Sequence, residues 1–148
     1  MKTTADFICL SYKKSDFLIE KDLISVSTYS GQKKELRFSR LAQVLGREVQ
    51  VINFDFLVNR AFHDEGISDE CMILKIHGQY YETSAEAFVK SIELKELKLF
   101  GSIMDTFCQQ KGILAVRYIA KNRIQYLLDA GKFLQAFEED ANDKTITG

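Results

Sequence analysis

The chain has 148 residues, of which 46% are hydrophobic and 28% charged, and its formal net charge is −1. These proportions are ordinary for a globular protein that buries one core, or two small lobes sharing a core. The near-neutral balance provides no global field for nucleic acid or anionic lipid, and no apolar run approaches the roughly 20 residues of a membrane-spanning helix.

The amino terminus lacks the continuous apolar core of a secretion signal, because Phe7 to Leu10 is followed at once by Ser11 and two lysines. The three cysteines, Cys9, Cys71 and Cys108, are odd in number and far apart. Cys9 and Cys71 fall inside apolar strand patterns, where cysteine behaves as a small hydrophobe, so neither a disulfide framework nor a zinc site is expected. The cytoplasm is the expected location. The chain has no proline, where average usage predicts about seven, so its turns fall to Gly, Asn, Asp and Ser.

In chain order, Phe7 to Tyr12 reads as a strand, Lys13 to Asp16 as its turn and Phe17 to Ile19 as the returning strand. Leu23 to Val26 continues the apolar signal, and Ser30 to Lys34 is a polar loop. Ser39 is placed to cap a short helix over Arg40 to Leu45, with Gly46 in the left-handed position that ends it. Val49 to Phe54 reads as a strand, while Val58 to Phe62 fits either kind of element. His63 to Glu70 is polar and reads as the linker between two lobes. Cys71 to Ile76 is a strand, His77-Gly78-Gln79 a hairpin turn and Tyr80 to Thr83 the return. Phe88, Val89, Ile92 and Leu94 continue the core pattern. Ser102 would cap a helix over Ile103 to Gln110, closed by Gly112. Ile113 to Ala120 and Arg123 to Leu128 read as strands around Lys121-Asn122, followed by a short helix over Lys132 to Phe137 and a frayed tail over 138–148.

Two pairs of segments echo one another. Phe7 to Val26 resembles Cys71 to Ile92: an apolar strand, a polar turn, a second extended stretch and a closing apolar cluster. Val49 to Leu57 resembles Ile124 to Leu134: a short apolar strand reaches Asn or Asp, then an aromatic-Leu pair. The order A-B-A′-B′ implies a copied fold. The expectation is a mainly β protein of two small β-barrel lobes with short helices. The lobes lie roughly at 6–64 and 71–136, with 65–70 crossing between them.

No catalytic constellation emerges. His63 and His77 sit in a polar stretch and a turn, without a nucleophile partner. Asp64-Glu65, Asp69-Glu70 and Glu138-Glu139-Asp140 read as solvated carboxylates, and no calcium-loop spacing or phosphate-binding glycine loop is present. Lys33, Lys34, Arg37, Arg40 and Arg47 form a basic cluster against Glu35 and Glu48, either a solvated face or a docking patch for an acidic partner.

The segment Ile113 to Leu134, with its Leu127-Leu128-Asp129 strand ending and following helix start, resembles the closing hairpin of CheW-like domains. Phe7 to Val26 is similar to that family's opening strands, and Met72 to Leu97 to its central hairpin. The resemblance covers roughly residues 6 to 136 and implies two five-stranded SH3-like barrels packed together. The family's Asn-Leu-Arg-Gly turn and following strand fall, without a gap, on Gln43-Val44-Leu45-Gly46 and Glu48 to Asp55. Gly46, Val51 and Ile52 agree, whereas Leu45 stands in place of the arginine, Gln50 in place of a proline and Asp55 in place of a second arginine. A second register sets Arg40 to Gly46 on an Asp-Leu-x-x-Leu-Leu-Gly ending. The resemblance implies a non-enzymatic adaptor without cofactor or metal. Its partners would be the regulatory domain of a sensor histidine kinase and the cytoplasmic tip of a chemoreceptor. Its partner-binding positions would be Arg40, Leu45, Gly46, Arg47 and Asp55. The alternative class is a small β-barrel binding nucleic acid or a small ligand, whose affinity for oligonucleotides would fall steeply with salt. With no ligand spacing for a metal, a chelator should leave the melting temperature unchanged; a shift of several degrees would contradict the metal-free reading.

Overall fold

The computed structural model describes residues 3–32, 36–97, 101–102, 112–119 and 123–136. Eleven strands form two sheets among them. β1 (Thr4–Ser11), β2 (Ser15–Glu20), β8 (Glu86–Glu93), β9 (Gly101–Ser102), β10 (Ile113–Ile119) and β11 (Arg123–Leu128) make the first, in the order β8-β1-β2-β11-β10-β9. The second consists of β3 (Ile24–Gln32), β4 (Ser39–Val44), β5 (Arg47–Asn53), β6 (Glu70–Ile76) and β7 (Gln79–Thr83), in the order β3-β6-β7-β5-β4. Helix α1 (Phe54–Phe62) follows β5, the short α2 (Leu94–Leu97) follows β8, and α3 over 130–136 follows β11. Pairing leaves both sheets open, so the closed barrels expected from the sequence are two open, SH3-like sheets.

The repeat read in the sequence is visible in the topology. Hairpin β1–β2 sits at the centre of its sheet as β6–β7 does in the other, and β11 runs parallel to β2 as β5 does to β7. Local chemistry repeats too. Asn53 N–H donates to the Phe38 carbonyl at 2.8 Å, and Asp129 N–H donates to the Gly112 carbonyl at 2.7 Å. Each side chain then caps the following helix: Asn53 Oδ1 accepts from Phe56 N, and Asp129 Oδ1 from Lys132 N, both at 3.1 Å. The third strand of each repeat is exchanged. β3 leaves β2 to pair with β6, and β8 leaves β7 to pair with β1. The chain therefore changes sheet at Lys21–Leu23 and at Ser84-Ala85. The 65–70 segment joins α1 to β6, and the strands on either side of it, β5 and β6, both belong to the second sheet.

A single core fills the space between the sheets. Period-2 alternation sends Leu10 of β1 and Phe17 and Ile19 of β2 inward, against Ile52, Leu74, Ile76 and Tyr81 of the second sheet. Both repeat helices enter this layer, through Phe54, Leu57 and Val58 and through Ala130, Phe133 and Leu134. Phe54 is fully buried, with the rings of Tyr12, Tyr81 and Phe133 at 6.4, 5.8 and 5.8 Å. Its burial contributes about 1.5–3 kcal/mol. The opposite face of the first sheet carries a smaller cluster of Phe7, Cys9, Leu18 and Ile92.

Several local expectations change. Arg40 to Val44 is the strand β4 and not a helix, and Ser39 is its first residue. The reason lies in Leu45 and Gly46, whose φ values of 51° and 78° make the two-residue hairpin turn that returns the chain as β5. Gly46 is left-handed as expected, but it closes a hairpin. Phe54, expected at the end of a strand, begins α1, and Val58 to Phe62 is helical. Phe88, Val89 and Leu94 are exposed, and of that group Ile92 alone is fully buried. His77 and Gly78, with φ of 51° and 80°, form the expected hairpin turn. The helix over Ile103 to Gln110, the Lys121-Asn122 turn, Cys108, Lys33, Lys34 and the tail from 138 lie outside the described residues.

The segment after α1 is tied down on both sides. Asp64, 2% exposed, accepts from Ser15 Oγ at 2.6 Å and from Lys14 N at 3.1 Å, and so caps the β1–β2 turn. Gly66 bridges to Tyr12, where an added Cβ would lie 2.0 Å from Ser84 Oγ. Gly66→Ala must displace Ser84 and should cost about 1–3 kcal/mol in urea unfolding, as overpacking in a filled core does. Gly46 has open space around its Cβ position, so Gly46→Ala should lose only the ~1–2 kcal/mol of a left-handed alanine. Equal stability of Gly66→Ala and wild type would show that the strap yields freely.

Candidate docking surfaces

The residues expected to bind a partner divide into two groups. Leu45, Gly46 and Arg47 form the exposed tip of the β4–β5 hairpin, and Leu45 is 75% exposed. Two consecutive positive φ values shape the turn, and Val44 pairs with Arg47 across it. Leu41, which the sequence reading did not single out, lies on the same hairpin and is 65% exposed. Alternation along β4 could have revealed it, because burial of Val44 places Leu41 on the opposite face.

Arg40 and Asp55 serve the interior. Arg40 Nε donates to Glu82 Oε2 at 2.9 Å, and its Nη2 contacts the same oxygen, joining β4 to β7 across the intervening β5. Asp55 is buried in α1 and is no part of a surface. Its Oδ1 accepts from Tyr12 Oη at 2.7 Å and Thr83 Oγ1 at 2.8 Å, and its Oδ2 accepts from Ser84 N at 2.9 Å and from the Ser84 hydroxyl. With both hydroxyl protons directed to the carboxylate, Thr83 Oγ1 accepts from Ala85 N at 3.0 Å. Burial first, and then the Asp55 charge, hold the Tyr12 phenol well above its usual pKa, so it remains a neutral donor. Of the basic cluster, Lys33 and Lys34 lie outside the described residues; Arg40 is paired with Glu82, and Arg47 is exposed at the hairpin tip.

A second network closes the first sheet where its two repeats meet. Arg123 of β11 donates from Nε and Nη2 to Asp16 Oδ1 at 3.0 and 2.8 Å, while Gln125 Nε2 donates to Oδ2 at 3.0 Å. Ser11 Oγ adds a bond of 2.8 Å. Burial alone would raise the Asp16 pKa, but the bonds from Arg123, Gln125 and Ser11 and the guanidinium charge outweigh it and hold the carboxyl below its ordinary value.

Besides the hairpin, a groove of about 490 Å³ opens where the sheets diverge. Its walls include Thr28 and Tyr29 of β3, Cys71 and Met72 of β6, and Ala87 of β8, with Ile67 on the rim. Tyr29 and Ile67 are 64% and 48% exposed, so the groove joins an apolar lip. Cys71 is buried, as is Cys9, whose thiol burial and the Asp16 charge push up to about 12; both behave as packing residues. Among the described residues no helix is long and apolar enough to cross a membrane.

Asp16 supplies a pH test. A carboxyl with a depressed folded pKa contributes stability that is complete above its unfolded value and is lost as pH falls through the folded one. Wild type should therefore lose stability as pH falls through and below the ordinary carboxylate range, and Asp16→Asn, less stable at neutral pH, should show a shallower acid limb. Parallel limbs in urea unfolding across that range would remove Asp16 from the account.

No protein-family model and no curated protein matches the sequence. Among solved structures, the chain is similar to the scaffolding protein TtCheW from Thermoanaerobacter tengcongensis, with a TM-score of 0.53 and 11% identity. The likeness covers 84% of this chain and 88% of that one. At 11% identity the likeness is one of fold, and the fold is a divergent form of the CheW fold.

Proposed function

We propose that this protein is a non-enzymatic adaptor of chemotaxis-type signalling, working in the cytoplasm and coupling chemoreceptor tips to a sensor histidine kinase. The observation that carries this reading is the CheW-like fold over most of the chain. Two exposed apolar features agree with it. The hairpin tip offers Leu45 beside Arg47, suited to the end of a partner barrel such as a kinase regulatory domain. The groove between the sheets, lined by Tyr29, Ile67, Met72 and Ala87 together with Ser68, Glu70 and Glu86, offers apolar and polar contacts of the kind one face of an amphipathic helix would use, the form a receptor tip would present. In both places affinity would rest on a few apolar anchors, with the charge setting orientation.

In the gap-free register Leu45 would stand in place of the family's turn arginine, and the basic group nearest the turn is Arg47, one residue beyond Gly46. This shift moves the charge to the first position of β5, where it is exposed. Arg47→Glu should leave folding within about 0.5 kcal/mol of wild type, as exposed charge substitutions do. It should weaken calorimetric binding to a cognate kinase regulatory domain by about tenfold or more, the equivalent of ~1.4 kcal/mol. Equal binding by both proteins would remove the turn from the docking site. No binding by wild type to either the kinase domain or the receptor tip would overturn the adaptor reading and leave the fold alone standing.

A further inference from the structure

A sheet edge offers unpaired N–H and C=O groups to any other strand, and stable proteins guard such edges with charge, bulges or brevity. Two of the edges, β8 and β3, are guarded among the described residues. β8 carries Glu86, Lys90 and Glu93. β3 is irregular at two places, between Ile24 and Val26 and between Tyr29 and Gly31, which breaks its ladder. Among the described residues β4 has none of these devices and no strand on its outer side. Its six residues, Ser39 to Val44, pair with β5 in unbroken register, and its one charge, Arg40, is held by Glu82.

The hydrogen-bonding sense of this edge is determined. Asn53 N–H donates to the Phe38 carbonyl, so the even-numbered residues of β4 face β5. The N–H and C=O groups of Ser39, Leu41 and Gln43 therefore point to the open side. We propose that this edge pairs with the same strand of a second copy, antiparallel about a two-fold axis at Leu41.

That register is self-complementary. It sets Leu41 opposite its counterpart, Ser39 opposite Gln43 and Arg40 opposite Ala42, with no like charges face to face. Each outward group finds a partner of the correct sense, and the two Leu41 side chains cover one another. The resulting interface lies at the small end of the known range, below about 1,200 Å² in total, so the dimer is reversible and depends on concentration. The inference stands on strand geometry and is independent of the adaptor reading; a chain that bound neither signalling partner would still dimerise.

Sedimentation velocity over a concentration series reaching the millimolar range tests it. Wild type should shift from monomer to dimer. Leu41→Lys, a change at an exposed position that places two like charges on the axis, should raise the dimer dissociation constant by about tenfold or more. Tyr118→Lys, at a 77% exposed position on the other sheet, should leave it unchanged. A wild type that stays monomeric overturns the proposal. So does a dimer indifferent to Leu41→Lys, or one lost equally in both variants, because either places the seam elsewhere.

Discussion

The fold turns on one buried carboxylate. Asp55 of α1 accepts from Tyr12 of the first sheet's hairpin turn and from Thr83 and Ser84, at the point where the chain leaves the second sheet for the first. A buried carboxylate with no donors costs several kcal/mol, and this one is held by hydroxyls and an amide that would themselves be unsatisfied without it. The network therefore fixes three elements relative to each other or fails as a unit. Gly66 belongs to the same construction, since its missing side chain leaves room for the Ser84 hydroxyl beneath the strap.

Around that centre the two repeats make equivalent bonds with unequal residues. Asn53 and Asp129 share one job: each receives the preceding hairpin through its N–H and starts a helix with its side chain. The central acids differ more. Asp16 is clamped by Arg123 from the neighbouring strand, while Glu82 is reached by Arg40 from beyond β5. Each sheet thus has one Arg–carboxylate pair across its repeat junction. Such partly buried pairs add little net stability and fix geometry instead, because a slipped register would leave the acid buried without its cation.

Much of this was legible in the sequence, for physical reasons. Strands β1, β2, β6 and β7 alternate with period 2 and are joined by short polar turns, so their hairpins could be placed by position. The A-B-A′-B′ echo was real because a strand ending in Asn or Asp before an aromatic helix start is a capping device, which constrains residue type. The exchange of β3 and β8 was not legible, since strand partners are chosen by long-range packing and leave no local trace. β4 was misread as a helix because Ser39 and Gly46 carry helix-boundary chemistry. Ser39 opens a strand equally well, and a left-handed glycine closes a hairpin as readily as a helix. Asp55 was put at a surface by the resemblance alone, and Asp64 read as a solvated carboxylate because spacing cannot reveal donors that come from residues 14 and 15.

The exchanged strands also limit how the molecule can respond to a partner. The sheets are joined by two short crossings, and the second contains Ser84, which is fully buried and bonded to Asp55. Both repeat helices insert aromatic side chains into the same core, so rotating one sheet against the other would strip Phe54 and Phe133 from each other and from Tyr81 and Tyr12. A hinge opening at the groove is therefore opposed by the core itself. The surfaces on either side, the hairpin tip and the groove, are held in a fixed relation before any partner arrives. A rigid body of this kind loses little conformational entropy on association, so small interfaces suffice for it. In the proposed adaptor role, such a body would transmit the relative position of whatever binds the two surfaces, and the geometry of the Asp55 junction would set that position.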